Sequence, residues 1–416
     1  MDLAFPTSAD AFRSRIRTFL DDNLPADWAG IGALEGEDRV TFLDSWRETL
    51  ADNGLLAVNW PAEWGGAGLS ALENVILHQE FAERGAPTGG TNDAFGISML
   101  GNTILAMGTD EQKAHFIPRI LSGEDRWCQG YSEPGAGSDL AGLGCKAVLD
   151  GDEWVIDGQK IWTSSGQYAN WIFVLARTAP DEVKHRGITF LLVPMDQPGV
   201  ELRPIKNIAG HEHFNEVFFT EARCPKDHVI GEVHGGWAVA NALLGFERGA
   251  GATVTPMRYA AEFDRFRALA VERGLTDDPL VRQTLADAHI KSELLRFAGL
   301  RALTRYLKGQ SPGPESSIFK LSWSTYHSEV TEAMMNVIGA ESVVDAGETT
   351  VSGLGAADMG VPNNPASLAA SFMVARSGTI YAGTSQVQKN IIGERVLGLP
   401  KEPRTDAGPW KDIPKG

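Results

Sequence analysis

The spacing of hydrophobic residues changes period twice along this chain, and those changes divide it into three structural blocks. In the first, Phe12, Ile16, Phe19 and Leu20 share one helical face, and "VTFLDSWRETLADNG" and "ALENVILHQEFAERG" repeat the 3.6-residue pattern. Between Cys128 and Val233 the period shortens. "AVLDGDEWVIDGQKIW" places two Asp-Gly turns between alternating segments, and "WIFVLART", "GITFLLVPM" and "NEVFFTEARCP" read as strands. Long helical patterns return at about 237–273, 279–308, 315–338 and 366–397. The expectation is an α+β chain: a helical N-domain over 1–124, an antiparallel β middle domain over 125–235 and a C-terminal four-helix bundle with tail over 236–416. Pro256 should kink the first of the late helices or mark its start. The Gly/Pro/Asn-rich stretch 346–367 is long enough to be a functional loop.

Charge and cysteine content exclude several classes. A net charge of -17 offers nothing to replace phosphate counterions, so nucleic acid is not an expected partner. Cys128, Cys145 and Cys224 are odd in number and scattered, which argues against a disulfide framework and a CxxC metal site and fits a reducing cytoplasm. The N-terminal "MDLAFPTSADAFRSRIR" has no basic region followed by an apolar one, and runs such as "WIFVLA" are too short to span a bilayer. Neither secretion nor a membrane span is expected. His211 and His213 in "GHEHFNE" would share one strand face but have no recognisable third ligand, so no metal is expected.

The most specific motif is "GYSEPGAGSDLAGL", residues 130–143, followed by "QKIWTSS". Small residues after Ser132 let backbone N–H groups and hydroxyls approach a ligand unobstructed. It is no Rossmann fingerprint, because the third glycine is missing and hairpins surround it. "YSEPGAGSD" with "QKIWTSS" resembles the acyl-CoA dehydrogenase family over nearly the whole chain. That resemblance implies FAD, with Tyr131, Ser132, Trp162 and Ser164 lining the flavin, and Thr384 and Gln386 approaching the cofactor. It further implies that Gly137 and Ser138 lie beside the pantetheine arm of acyl-CoA, that Arg248 and Ala382 contact substrate, and that an electron-transfer flavoprotein accepts the electrons.

The implied reaction is α,β-dehydrogenation, in which a base takes the α-proton while the β-hydride leaves to the flavin. A carboxylate must stand near the α-carbon, because the C–H bond is too weak an acid for water alone. Most of the family has that glutamate where this chain has Ala382, in "TIYAGTSQVQKN". A minority takes it from the first helix of the C-terminal domain, directly before an arginine, and "ALLGFERGAGATV" has Glu247 before Arg248 there. Glu247 is therefore the expected base, set among small and apolar residues that would desolvate it. The glycine- and alanine-rich run after it leaves room for a branched or polycyclic acyl group, such as a steroid side-chain thioester.

Two further places depart from the family pattern. Homotetrameric relatives offer an Arg-x-x-Phe-Gly and a Gln-x-x-Gly-Gly segment to a neighbour's FAD; here stand "ERGLTDDPLVRQ", with Asp277 and Asp278, and "NVIGAES", with Asn336 and Ala340. The segments serving the chain's own flavin are intact and those serving a neighbour are eroded. This asymmetry resembles the α2β2 dehydrogenases of steroid side-chain breakdown and implies a homologous second subunit, the alternative being a homotetramer with altered contacts. Acyl-CoA oxidases, flavin monooxygenases of the same fold, and a non-catalytic subunit completing a partner's FAD site remain as alternatives.

Overall fold

The computed structural model describes residues 8–246, 248–310, 313–314, 316–344, 347, 349–351, 353–401, 403, 406 and 408–413. Its described residues form two units. One comprises those of Met1–Asp52, Gly68–Thr88 and Arg248–Pro400, the other those of Asn53–Ala67, Gly89–Glu247 and Lys401–Gly416.

Helix formation in the first unit follows the apolar stripes. α1 (Ser8–Asn23), α2 (Gly36–Asp52) and α3 (Ala71–Glu83) occupy the expected positions, and α3 opens on a capping box in which Ser70 and Glu73 satisfy each other's backbone N–H. The second unit contributes α4 (Asn102–Met107), α5 (Asp110–Ser122) and α6 (Gly236–Phe246). α7 (Arg248–Glu272), α8 (Pro279–Leu307), α9 (Ser316–Ile338), α10 (Pro365–Ala375) and α11 (Ser385–Ile391) belong to the first. α7 runs through Pro256, which therefore does not mark its start. The fourth long helical pattern divides into α10 and α11. Between them Ala382 and Gly383 take φ of 51° and 86°, which no right-handed helix accommodates.

Tyr259, Phe266, Leu269, Leu295, Tyr326, Val330 and Met334 form the helical unit's core. Within it a fully buried His327 meets Glu262 at 2.8 Å. The described part of the long Gly/Pro/Asn stretch is pinned, not open: Asp358 pairs with Arg39 and Arg258, and Arg265 donates to the Pro362 carbonyl.

The sheet lies in the second unit: β1 (Trp127–Gly130), β2 (Lys146–Asp150), β3 (Glu153–Ser164), β4 (Trp171–Arg177), β5 (Ile188–Pro194), β6 (Val200–Ile205) and β7 (Phe214–Pro225). Its order is β1-β4-β2-β3-β7-β6, with β5 also on β4. Pairing is antiparallel except for β1 with β4 and β2 with β4. Continuous apolar runs make β4 and β5 buried along nearly their whole length, whereas β3 and β7 alternate and cover one face. All three cysteines are free and buried, and burial pushes the Cys145 thiol up to about 11 and that of Cys224 to about 12. Among the described residues no helix is long and apolar enough to cross a membrane.

Candidate active site

The two sequence motifs meet through the backbone. Ile161 N–H donates to the Ser132 carbonyl at 2.9 Å, which lays the first motif along β3 one residue before Trp162. There β3 and β7 slip register between Lys160 and Thr163. Trp162 takes φ 62°, a conformation that costs a bulky residue free energy, and its indole is 56% exposed with its edge on Phe214. A strained bulge thus turns a large aromatic ring outward. Asn92 and His213 hold the following turn: the Asn92 amide donates to the Ser165 carbonyl, and Ser165 N–H donates to the His213 carbonyl.

Chemically, the described hydroxyls here are available. Neither the Ser132 nor the Ser164 side chain makes a hydrogen bond to another described residue, whereas Tyr131 is buried with its ring edge on Phe173 and Phe190. Two free hydroxyls near an outward indole fit a planar heteroaromatic with carbonyl and ring-nitrogen edges, as a flavin has. Gly137 has open space where a Cβ would stand, and Ser138 is exposed.

Residues that sequence reasoning missed hold this loop. Lys160 is fully buried and donates to Glu133 at 2.7 Å and to the Tyr131 carbonyl at 3.1 Å. The Glu133 carboxylate also accepts from the N–H groups of Gly144 and Cys145 at 2.7 and 2.9 Å. A charged residue at an inward position of an alternating strand was the available signal. Its partner, 27 positions away, was not readable.

In the helical unit, Thr384 caps α11 by accepting from Val387 N–H, Gln386 is exposed, and Gln388 donates to the Ala382 carbonyl at 2.9 Å. Lys320 anchors the preceding turn by donating to the Gly378 carbonyl at 2.7 Å. Exposed Ala382 sits at φ 51°, a position glycine adopts without strain. Ala382→Gly should therefore raise the free energy of unfolding by about 0.5–1 kcal/mol in urea titration. A loss of stability would show that the methyl group's contacts outweigh the strain.

Glu247 and the side chain of Arg248 lie outside the described residues. Asp278 has a structural task, capping α8 by accepting from Leu280 and Val281 N–H. Ala340 and Asn336 are exposed, and Glu341 beside them is paired with Arg273 at 2.6 Å. Among the described residues no group of three or more His, Cys, Asp or Glu side chains could hold a metal ion.

The N-terminal, middle and C-terminal domain models of the acyl-CoA dehydrogenase family match residues 6–124, 128–222 and 234–397. Acyl-CoA dehydrogenase IpdE1 of Mycobacterium tuberculosis is 40% identical over 404 residues, covering 94% of this chain and 98% of its own length. The solved structure of a steroid ACAD, Tcur3481-Tcur3483, superposes with a TM-score of 0.79 at 29% identity, covering 97% of this chain and 100% of its own. The ChsE4-ChsE5 complex from Mycobacterium tuberculosis gives 0.75 at 31%, with coverages of 97% and 100%. This chain belongs to the acyl-CoA dehydrogenase family, with its N-terminal helical, middle β and C-terminal helical domains. Its activity is acyl-CoA dehydrogenation, and the family's enzymes are flavoproteins.

Proposed function

We propose that the chain is an FAD-dependent dehydrogenase of a bulky acyl-CoA, such as a steroid side-chain thioester, in which Glu247 removes the α-proton. The observation that carries the cofactor assignment is the outward Trp162 beside Ser132 and Ser164, whose hydroxyls bond no other described residue. Tyr131, Thr384 and Gln386 are its further proposed contacts. When bound, FAD supplies the hydride acceptor. The protein's own part is to hold the thioester and move one proton. Gly137 and Ser138 would receive the pantetheine arm, Arg248 would contact substrate, and the Ala382 N–H would donate to the thioester oxygen as enolate charge develops. A backbone donor persists when the side chain is alanine.

The steroid reading rests on similarity to a protein described as a steroid ACAD, over 97% of this chain. Similarity to the two-component ChsE4-ChsE5 complex supports a homologous second subunit, as do Asn336 and Ala340 where family members carry a neighbour's FAD contacts. An electron-transfer flavoprotein is the proposed acceptor. The test is the FAD-to-polypeptide ratio, by absorbance, of the chain purified alone after excess FAD is added and removed. A ratio near zero in folded protein, restored by co-expression with a related subunit, is expected. A ratio near one would replace the α2β2 assignment with a homo-oligomer.

A further inference from the structure

The match to the family's C-terminal domain ends at residue 397, and the described residues from Lys401 on belong to the sheet unit. The backbone of this segment is hydrogen-bonded there. Trp410 N–H donates to the Glu182 carbonyl at 2.8 Å, Lys411 N–H to that of Pro180 at 3.0 Å, and Pro409 bridges Val183. Ion pairs flank these contacts: Lys411 with Asp181, and buried Lys184 with both Asp406 and Asp139.

The segment's consequence falls on the loop after Gly137 and Ser138. That loop presents three successive carbonyls that need donors, those of buried Ala141 and Leu143 and of half-buried Gly142 between them. The buried Arg177 guanidinium donates to Ala141 at 2.6 Å and to Leu143 at 3.3 Å. The carbonyl between them is served from the tail, where the Trp410 indole N–H donates to Gly142 at 3.0 Å. The same indole lies 4.9 Å from the Arg177 guanidinium, and its ring would be 3.6 Å from a Cβ at Gly144. Burial pushes Arg177 down to about 10, against the pull of Glu133 and Asp139, so it stays a cation at neutral pH. One tail side chain both completes the row of donors and braces the cation that supplies the other two.

We propose that residues 408–413, with Asp406, are a strap that holds the loop 137–145 in the shape that receives the coenzyme A arm, with Trp410 as its positioning residue. The role in binding rests on the assignment of Gly137 and Ser138 to the pantetheine arm. The shaping of the loop does not.

The experiment uses the full chain, with its partner subunit where one is needed for folding, and compares Trp410→Ala, Trp410→Phe and the parent protein by amide hydrogen exchange and by calorimetric titration with coenzyme A. Losing one hydrogen bond and one cation–π contact should cost about tenfold in loop protection. Trp410→Ala should therefore lower protection of amides 140–145 by about tenfold, leave those of β5 and of Ile172, Phe173 and Val174 in β4 unchanged, and weaken coenzyme A binding by about the same factor. Trp410→Phe, which retains the ring but not the N–H, should fall between and guards against a folding failure of the alanine variant. Unchanged loop protection in both variants would overturn the strap. Looser loops with undiminished coenzyme A affinity would overturn its role in binding. Absence of coenzyme A binding in the parent protein would instead count against the pantetheine assignment, while the exchange data still decide whether the strap shapes the loop.

Discussion

Glu247→Gln should slow substrate-dependent bleaching of the bound flavin by about 10² or more under anaerobic stopped-flow mixing, the scale of a lost general base. The amide is nearly isosteric with the acid but does not accept the α-proton, so FAD content and coenzyme A affinity should stay at parental levels. The sequence setting favours a base with a raised proton affinity. Leu243, Val239 and Ala240 in α6 are buried, and the sequence around Glu247 is small and apolar. Bleaching at the parental rate would remove Glu247 from the mechanism and leave Ala382 unexplained. Ala382→Glu would not be the corresponding control, because it also adds a side chain at a left-handed backbone position.

The second large effect concerns stability. Lys160→Met should destabilise the folded protein by about 3 kcal/mol, at the lower end for breaking a buried ion pair by removing one partner. The lower end applies because Glu133 keeps the N–H groups of Gly144 and Cys145 and its side chain is 11% exposed. Its carboxylate would not be wholly stranded. Urea unfolding of the single variant and of Lys160→Met combined with Glu133→Gln measures this directly. The double variant should recover part of the loss, since the buried negative charge is then gone. A change under about 0.5 kcal/mol in the single variant would mean that the pair contributes no more than a surface contact.

Several elements were readable because they depend on local spacing. Phe12, Ile16, Phe19 and Leu20 repeat at helical period and α1 buries each of them, and the alternation in β7 matches its one covered face. The buried runs in β4 and β5 were legible as strands by their length and branched residues. The fourth bundle helix read as continuous because hydrophobic period carries no information about the sign of φ at Ala382. Pro256 inside α7 was a weaker signal than it looked, since packing can sustain a helix that has lost one backbone donor.

The candidate site divides along the same line. The residue types that can approach a flavin, the alanine at position 382 and the Glu247-Arg248 pair stood in the linear sequence, because chemistry that depends on side-chain identity is written there. Which of those side chains became free, strained or braced was settled only by folding. The register slip that turns Trp162 outward, the union of Lys160 with Glu133 and the return of Trp410 to the Gly142 carbonyl each join groups distant in the chain or depend on a partner strand. Local propensity does not encode such pairings. They arise because buried polar groups must find partners among whatever the packed structure brings within reach.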